Sequence, residues 1–178
     1  MRHRIWAGIT CGVIMLAVSL YATGRGEQGP KNYSAQLISY QEVPANSSSA
    51  VGNVSIAIDD AARTIAYTEA FSGLEGSVIM SHIHLAQPGV NGGIMVWLCG
   101  TSTNPGPTGT PVCPASGEVS GTLSAADVVG PGGQGVSAGE FDEVVAAIRA
   151  GVAYANVHST RWPGGEIRGQ LRPGGGHQ

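Results

Sequence analysis

Charge is scarce in this chain of 178 residues, with nine basic side chains against twelve acidic ones. That balance excludes the basic face with which nucleic-acid-binding proteins neutralise phosphates. Beyond residue 20 no second long apolar run occurs, so the rest of the sequence offers no further membrane-spanning helix. Catalytic signatures are also missing. No Ser/His/Asp order and no paired catalytic carboxylates can be argued, and the glycine-rich stretch 130–135 lacks the Lys and the strand–helix context of a phosphate loop. Cysteine occurs three times and histidine five times, so the position of each carries weight.

Arg2, His3 and Arg4 precede an apolar run from Ile5 to Leu20, and Ala22, Thr23 and Gly24 follow. This pattern predicts a secretory signal peptide over residues 1–24, then a polar linker over 25–31. An uncleaved anchor would need a longer run. Cys11 sits inside the run rather than in a lipidation box after it. Without Arg2 and Arg4, seven basic residues face twelve acidic ones, a net charge of −5. The expectation is a secreted or periplasmic protein with no membrane span after cleavage. In an oxidising compartment Cys99 and Cys113 read as a disulfide, and loop entropy assigns such a ring about 3 kcal/mol. A thiolate metal pair is the rival reading, but no second cysteine pair accompanies it.

Short alternating segments separated by Gly, Pro, Asn and Asp predict strands near 32–39, 51–58, 62–71, 78–85, 94–98, 117–123, 152–158 and 166–171. One helix is expected, opened by a Ser137–Glu140 capping box, carried by Phe141, Val144, Val145 and Ile148, and stopped at Gly151. Twenty-eight glycines fit a turn-rich β protein. The predicted fold is all-β: an antiparallel Greek-key β-sandwich or barrel with one short helix, spanning residues 32–172, with a flexible tail over 173–178.

The histidines are the most informative residues. His82 and His84 alternate in Ser81-His82-Ile83-His84, so a strand sends both rings to one face. If the strand carrying His158 lies alongside, three imidazoles converge into a site for copper or zinc. Met80 shares that face and offers a thioether as a fourth ligand, while Asn156, Glu166 and Arg168 are candidates for a fourth ligand or for orienting a ring. The plainer alternative is a buried polar network in which each ring bonds a carbonyl, Glu166 or Asn156. Glu166 and Arg168 alternatively form a cross-strand ion pair. Asn91-Gly92 is expected to supply a positive-φ turn, and Trp97 and Trp162 to pack rather than to bind sugar.

The segments Gln41-Glu42-Val43-Pro44, Ser81-His82-Ile83-His84, Pro88-Gly89-Val90-Asn91-Gly92, Asn156-Val157-His158-Ser159 and Pro163-Gly164-Gly165-Glu166-Ile167-Arg168-Gly169-Gln170 together resemble the CHRD (chordin) domain family over about residues 32–171. The resemblance implies an all-β extracytoplasmic domain and little about activity. In animals the domain is found in chordin, an extracellular antagonist of bone morphogenetic proteins. The cysteine-rich modules with which chordin binds those growth factors are not in this sequence, so that role is not carried over. Three functions are then expected in order: an exported binding module that holds Cu or Zn or meets an extracellular or envelope partner; a copper enzyme like copper–zinc superoxide dismutase, an analogy of architecture alone; or a structural envelope domain.

Overall fold

Alternation decides the strands. In Val51–Asp59 the buried positions are Val54, Ile56 and Ile58 and their neighbours are exposed, the period of a half-buried strand. The computed structural model describes residues 31–174. The expected signal peptide, the linker up to residue 30 and residues 175–178 of the tail lie outside the described residues.

The strands are β1 (Asn32–Ile38), β2 (Val51–Asp59), β3 (Thr64–Ser72), β4 (Val78–Leu85), β5 (Gly93–Gly100), β6 (Gly117–Leu123), β7 (Ala153–Ser159), β8 (Ile167–Gln170) and β9 (Arg172–Pro173). They pair antiparallel in the order β5-β4-β7-β8-β1-β2-β3-β6, and β9 adds to β1. The two ends of this path, β5 and β6, come into contact, and a bridge between Val96 and Val128 helps to close the gap. The expected all-β fold is therefore present as a nearly closed, barrel-like sheet with one helix.

The β2–β3 hairpin turns where the Asp59 carboxylate accepts the N–H groups of Ala61 and Ala62, both at 2.9 Å. The helix, α1 (Phe141–Arg149), buries Phe141, Val144, Val145, Ala147 and Ile148 in the one hydrophobic cluster that also holds Leu37, Val54, Ile83, Leu98 and Val157. Only half of the expected capping box forms: the Ser137 N–H donates to the Glu140 carboxylate at 2.6 Å, and the helix begins after Glu140. Gly151 takes the left-handed conformation, φ 71°, expected of a helix stop. Arg149 at the end of α1 ties it to Asp60 of the hairpin through an ion pair at 2.8 Å.

Cys99 and Cys113 form the expected disulfide. Within the span expected as tail, Pro173 pairs with Tyr33 of β1 beside the Arg172–Ser34 pair, and the Gly174 N–H donates to the Asn32 carbonyl.

A candidate metal centre under three loops

Strands β4 and β7 are buried on both faces, and this is what sets up the site. Ile83 of β4 and Ala155 and Val157 of β7 point into the hydrophobic cluster. By alternation His82, His84, Asn156 and His158 point to the other face, yet they are buried too. The register lays them out in rows. Trp97, His82, Asn156 and Arg168 stand side by side across β5, β4, β7 and β8; His84 stands beside Tyr154, and Met80 beside His158. Directly opposed residues on one face of an antiparallel pair touch. Two bulges in β5, at Leu98 and Met95, bracket the Trp97–Val96 pairing with His82 and Ile83, and bulges characteristically re-aim side chains beside functional sites.

Three loops cover this outer face. The 86–92 loop lends the Gly92 carbonyl to His84 Nδ1 at 3.0 Å, and the 160–166 loop lends the Pro163 carbonyl to His158 Nδ1 at 3.0 Å. The 39–44 segment is joined to the first by a bond from the Asn91 amide to the Val43 carbonyl, 2.8 Å. Gly92 is required for close approach, not for a positive-φ turn as expected: a Cβ there would lie 1.8 Å from the Leu85 carbonyl oxygen. The left-handed residue of that loop is Gly89, φ 77°.

These carbonyls determine the protonation of the rings. A carbonyl only accepts, so Nδ1 of both His84 and His158 must donate, which leaves a lone pair on each Nε2 when the ring is neutral. Burial holds all three rings neutral. It lowers His82 to about 2, helped by His158 and His84, and His84 to about 4; His158 is lowered by burial against the opposing pull of the Pro163 carbonyl. Both nitrogens of His82 and Nε2 of His84 are buried without a hydrogen-bond partner. The remaining lone pair, on His158 Nε2, lies 3.0 Å from the position assigned to Asn156 Oδ1. The neutral ring accepts there when the amide turns its N–H group inward, since amide O and N exchange by a flip.

The candidate ligand atoms of His82, His84 and His158 all lie within 4.8 Å of one another. Ligands ~2 Å from one ion stand about 3–4 Å apart, so the three would have to draw somewhat closer to share an ion. The ring centroids are separated by 5.3 Å for His82–His84, 5.2 Å for His82–His158 and 6.2 Å for His84–His158. Trp97 meets the His82 ring edge-on at 4.2 Å, and Tyr154 stacks on His84 at 4.8 Å, so both rings are held from the side. Trp97 packs, as expected. Trp162 donates its indole N–H to Glu75 at 3.0 Å.

The other residues singled out by sequence divide. Asn156 stands among the histidines. Met80 is half-buried beside His158. Arg168 is buried over the Tyr154 ring, 3.4 Å from its centroid, and donates to the Val90 carbonyl at 2.7 Å and the Asn91 side chain at 3.1 Å. Glu166 is held by other partners: its carboxylate accepts from the Ser48 hydroxyl at 2.6 Å and the Glu75 N–H at 2.7 Å. The two therefore form no ion pair, because Arg168 and Glu166 lie on one strand-side but are claimed by different loops. The residues that sequence reasoning missed are Glu42, Tyr154 and the carbonyls of Gly92 and Pro163. Only the loop motifs hinted at them: Gln41-Glu42-Val43-Pro44, Pro88-Gly89-Val90-Asn91-Gly92 and Pro163-Gly164-Gly165 are the cover of the site.

No curated protein and no solved structure matches the chain. The family comparison does give a match: the CHRD domain aligns with residues 33–171, which include every strand that carries the histidines and every loop that covers them. The chain belongs to the CHRD domain family.

Proposed function

We propose that this protein is an exported CHRD-domain binding module that holds a transition-metal ion, copper or zinc, through His82, His84 and His158. The observation that carries this reading is the pairing of two fixed Nδ1–H donors, on the Gly92 and Pro163 carbonyls, with buried imidazole nitrogens that have no partner on His82 and His84. A backbone carbonyl on the far nitrogen is the usual way in which a metal-binding histidine is oriented. A purely structural polar network would satisfy those nitrogens, because leaving a buried polar atom unpaired costs about 1–3 kcal/mol. Neutral imidazoles favour Cu and Zn over Mg or Ca. Export is supported by the disulfide, and no helix among the described residues is long and apolar enough to cross a membrane. Burial of the rings beneath three loops favours retention of an ion over turnover of a substrate.

The test is elemental analysis of the purified domain followed by calorimetric titration with Zn(II) and Cu(II). One ion per chain should bind, and both His82→Ala and His158→Ala should lose at least 100-fold in affinity. Binding that survives both substitutions unchanged would remove the site from these residues.

A further inference from the structure

A buried carboxylic acid stands over the histidine site, and neither the strand pattern nor the family match assigns it a role. Glu42 follows the turn of 3-10 helix at Ser39–Gln41, directly after β1, whose last residue Ile38 pairs with Arg168. Its side chain is buried, and Oε1 has no hydrogen-bond partner. The carboxyl group is pressed against the 160–166 loop. A Cβ on Gly165 would stand 2.6 Å from Glu42 Oε1, and the φ of 131° at Gly165 favours glycine there. That same loop supplies the Pro163 carbonyl to His158.

The contacts of Asn156 place this acid next to the rings. The Asn156 side chain is a near neighbour of Glu42 and of His84, and stands 3.0 Å from His158 Nε2. One amide is thus the common neighbour of two imidazoles and the carboxyl group. Burial pushes Glu42 up to about 7, while the Arg168 guanidinium pulls it down. The other buried carboxyls each bond through one oxygen and leave the second without a partner, but their bonds are to other groups: Glu166 Oε1 to Ser48 and Glu75, and Glu69 Oε1 to Ser81, whose side chain points to the opposite face.

Charge makes the consequence specific. Three neutral imidazoles bring no negative charge to a bound cation, and Arg168 buries a positive charge in the same layer. In a low-dielectric site an uncompensated double charge is far more costly than a single one. We propose that Glu42 is the anionic member of the histidine site, supplying the counter-charge that makes it select a divalent ion, Zn(II) or Cu(II), over monovalent Cu(I). This inference rests on the three-histidine reading and goes further by naming the charge class of the ion.

The experiment measures Zn(II) affinity and, anaerobically with a chromophoric competitor, Cu(I) affinity at pH 8 for the wild-type domain, Glu42→Gln and Glu42→Asp. For Glu42→Gln the expected result is a 10- to 100-fold loss of Zn(II) affinity with Cu(I) affinity changed by less than about 3-fold, since removing one charge weighs on the double charge most. Glu42→Asp, which keeps the charge and covers the case of a Gln variant that fails to fold, should stay within about 5-fold of wild type for both ions. Equal losses for both ions would mark Glu42 as a structural residue and overturn the proposal, as would no loss for either. Wild-type protein that binds neither ion would overturn the three-histidine reading as well, so the two failures are distinguishable.

Discussion

Single hydrogens decide much of the chemistry at the residue scale. The Ser81 hydroxyl lies 2.8 Å from Glu69 Oε1 and 2.9 Å from the Asn156 carbonyl. One hydroxyl has one proton, and a carbonyl can only accept, so Ser81 donates to Asn156 and Glu69 must donate to Ser81. Glu69 is therefore a neutral carboxylic acid. Complete burial pushes it up to about 8. The sign of its linkage follows. Between about pH 4.5 and 8 the folded chain keeps a proton that the unfolded chain has released, so this group's contribution to stability is full at low pH and is lost as pH rises through that window. Glu69→Gln keeps the shape, donates to Ser81 and cannot ionise. Its melting temperature relative to wild type should therefore rise by several degrees from pH 5 to pH 8.5, as read by calorimetry across that range. A difference that stays constant with pH would mean that Glu69 is ionised in the fold.

Elements are joined to the site by covalent and packing links. The Cys99–Cys113 disulfide closes the loop that follows β5, and Gly106 of this loop lies against the Trp97 ring, where an added Cβ would be 2.9 Å from it. Trp97 in turn is packed on His82. Replacing both cysteines by alanine should cost about 3 kcal/mol by loop entropy. It should also free the loop from Trp97, read as a red shift of tryptophan emission. An unchanged melting temperature in the double variant would show that the loop is held by its other bonds, such as those from Cys113 N–H to the Gly100 carbonyl and from Gly100 N–H to the Pro111 carbonyl. Much of the element scale is legible in the sequence. The hairpin β2–β3 and the strand Val78–Leu85 follow from period-two alternation and from Asp59, and α1 follows from Phe141, Val144, Val145 and Ile148. The same-face placement of His82 and His84 needs only that alternation. What alternation lacks is a statement about partners. That β7 lies beside β4, so that His158 reaches them, is a long-range pairing with no local signature. Glu42 was hidden differently, because it sits in a loop where no periodicity applies. The Gly92 and Pro163 carbonyls were hidden because a backbone oxygen is the same in every residue.

On the proposed three-histidine reading, the site is a clasp at the scale of the whole molecule. His82 and His84 come from β4 and His158 from β7, and the loops above them come from three strand connections: 39–44 follows β1, 86–92 connects β4 to its neighbour β5, and 160–166 connects β7 to its neighbour β8. An ion bound there is held only when these segments are assembled, since the unfolded chain separates His158 from the others by more than seventy residues of sequence. Binding to the folded state alone stabilises it by mass action, about 2.7 kcal/mol at a free ion concentration 100 times the dissociation constant. For a domain of this size that energy corresponds to a rise in melting temperature of roughly 5–10 °C. Scanning calorimetry with Zn(II) should show this rise in wild type and lose it in His158→Ala, where two histidines from a single strand remain. His158 is the informative position because the His82–His84 pair survives local unfolding, whereas the third ring requires the pairing of β4 with β7. A rise of equal size in His158→Ala would locate the stabilising ion on the strand pair alone, and the barrel would then play no part in its capture.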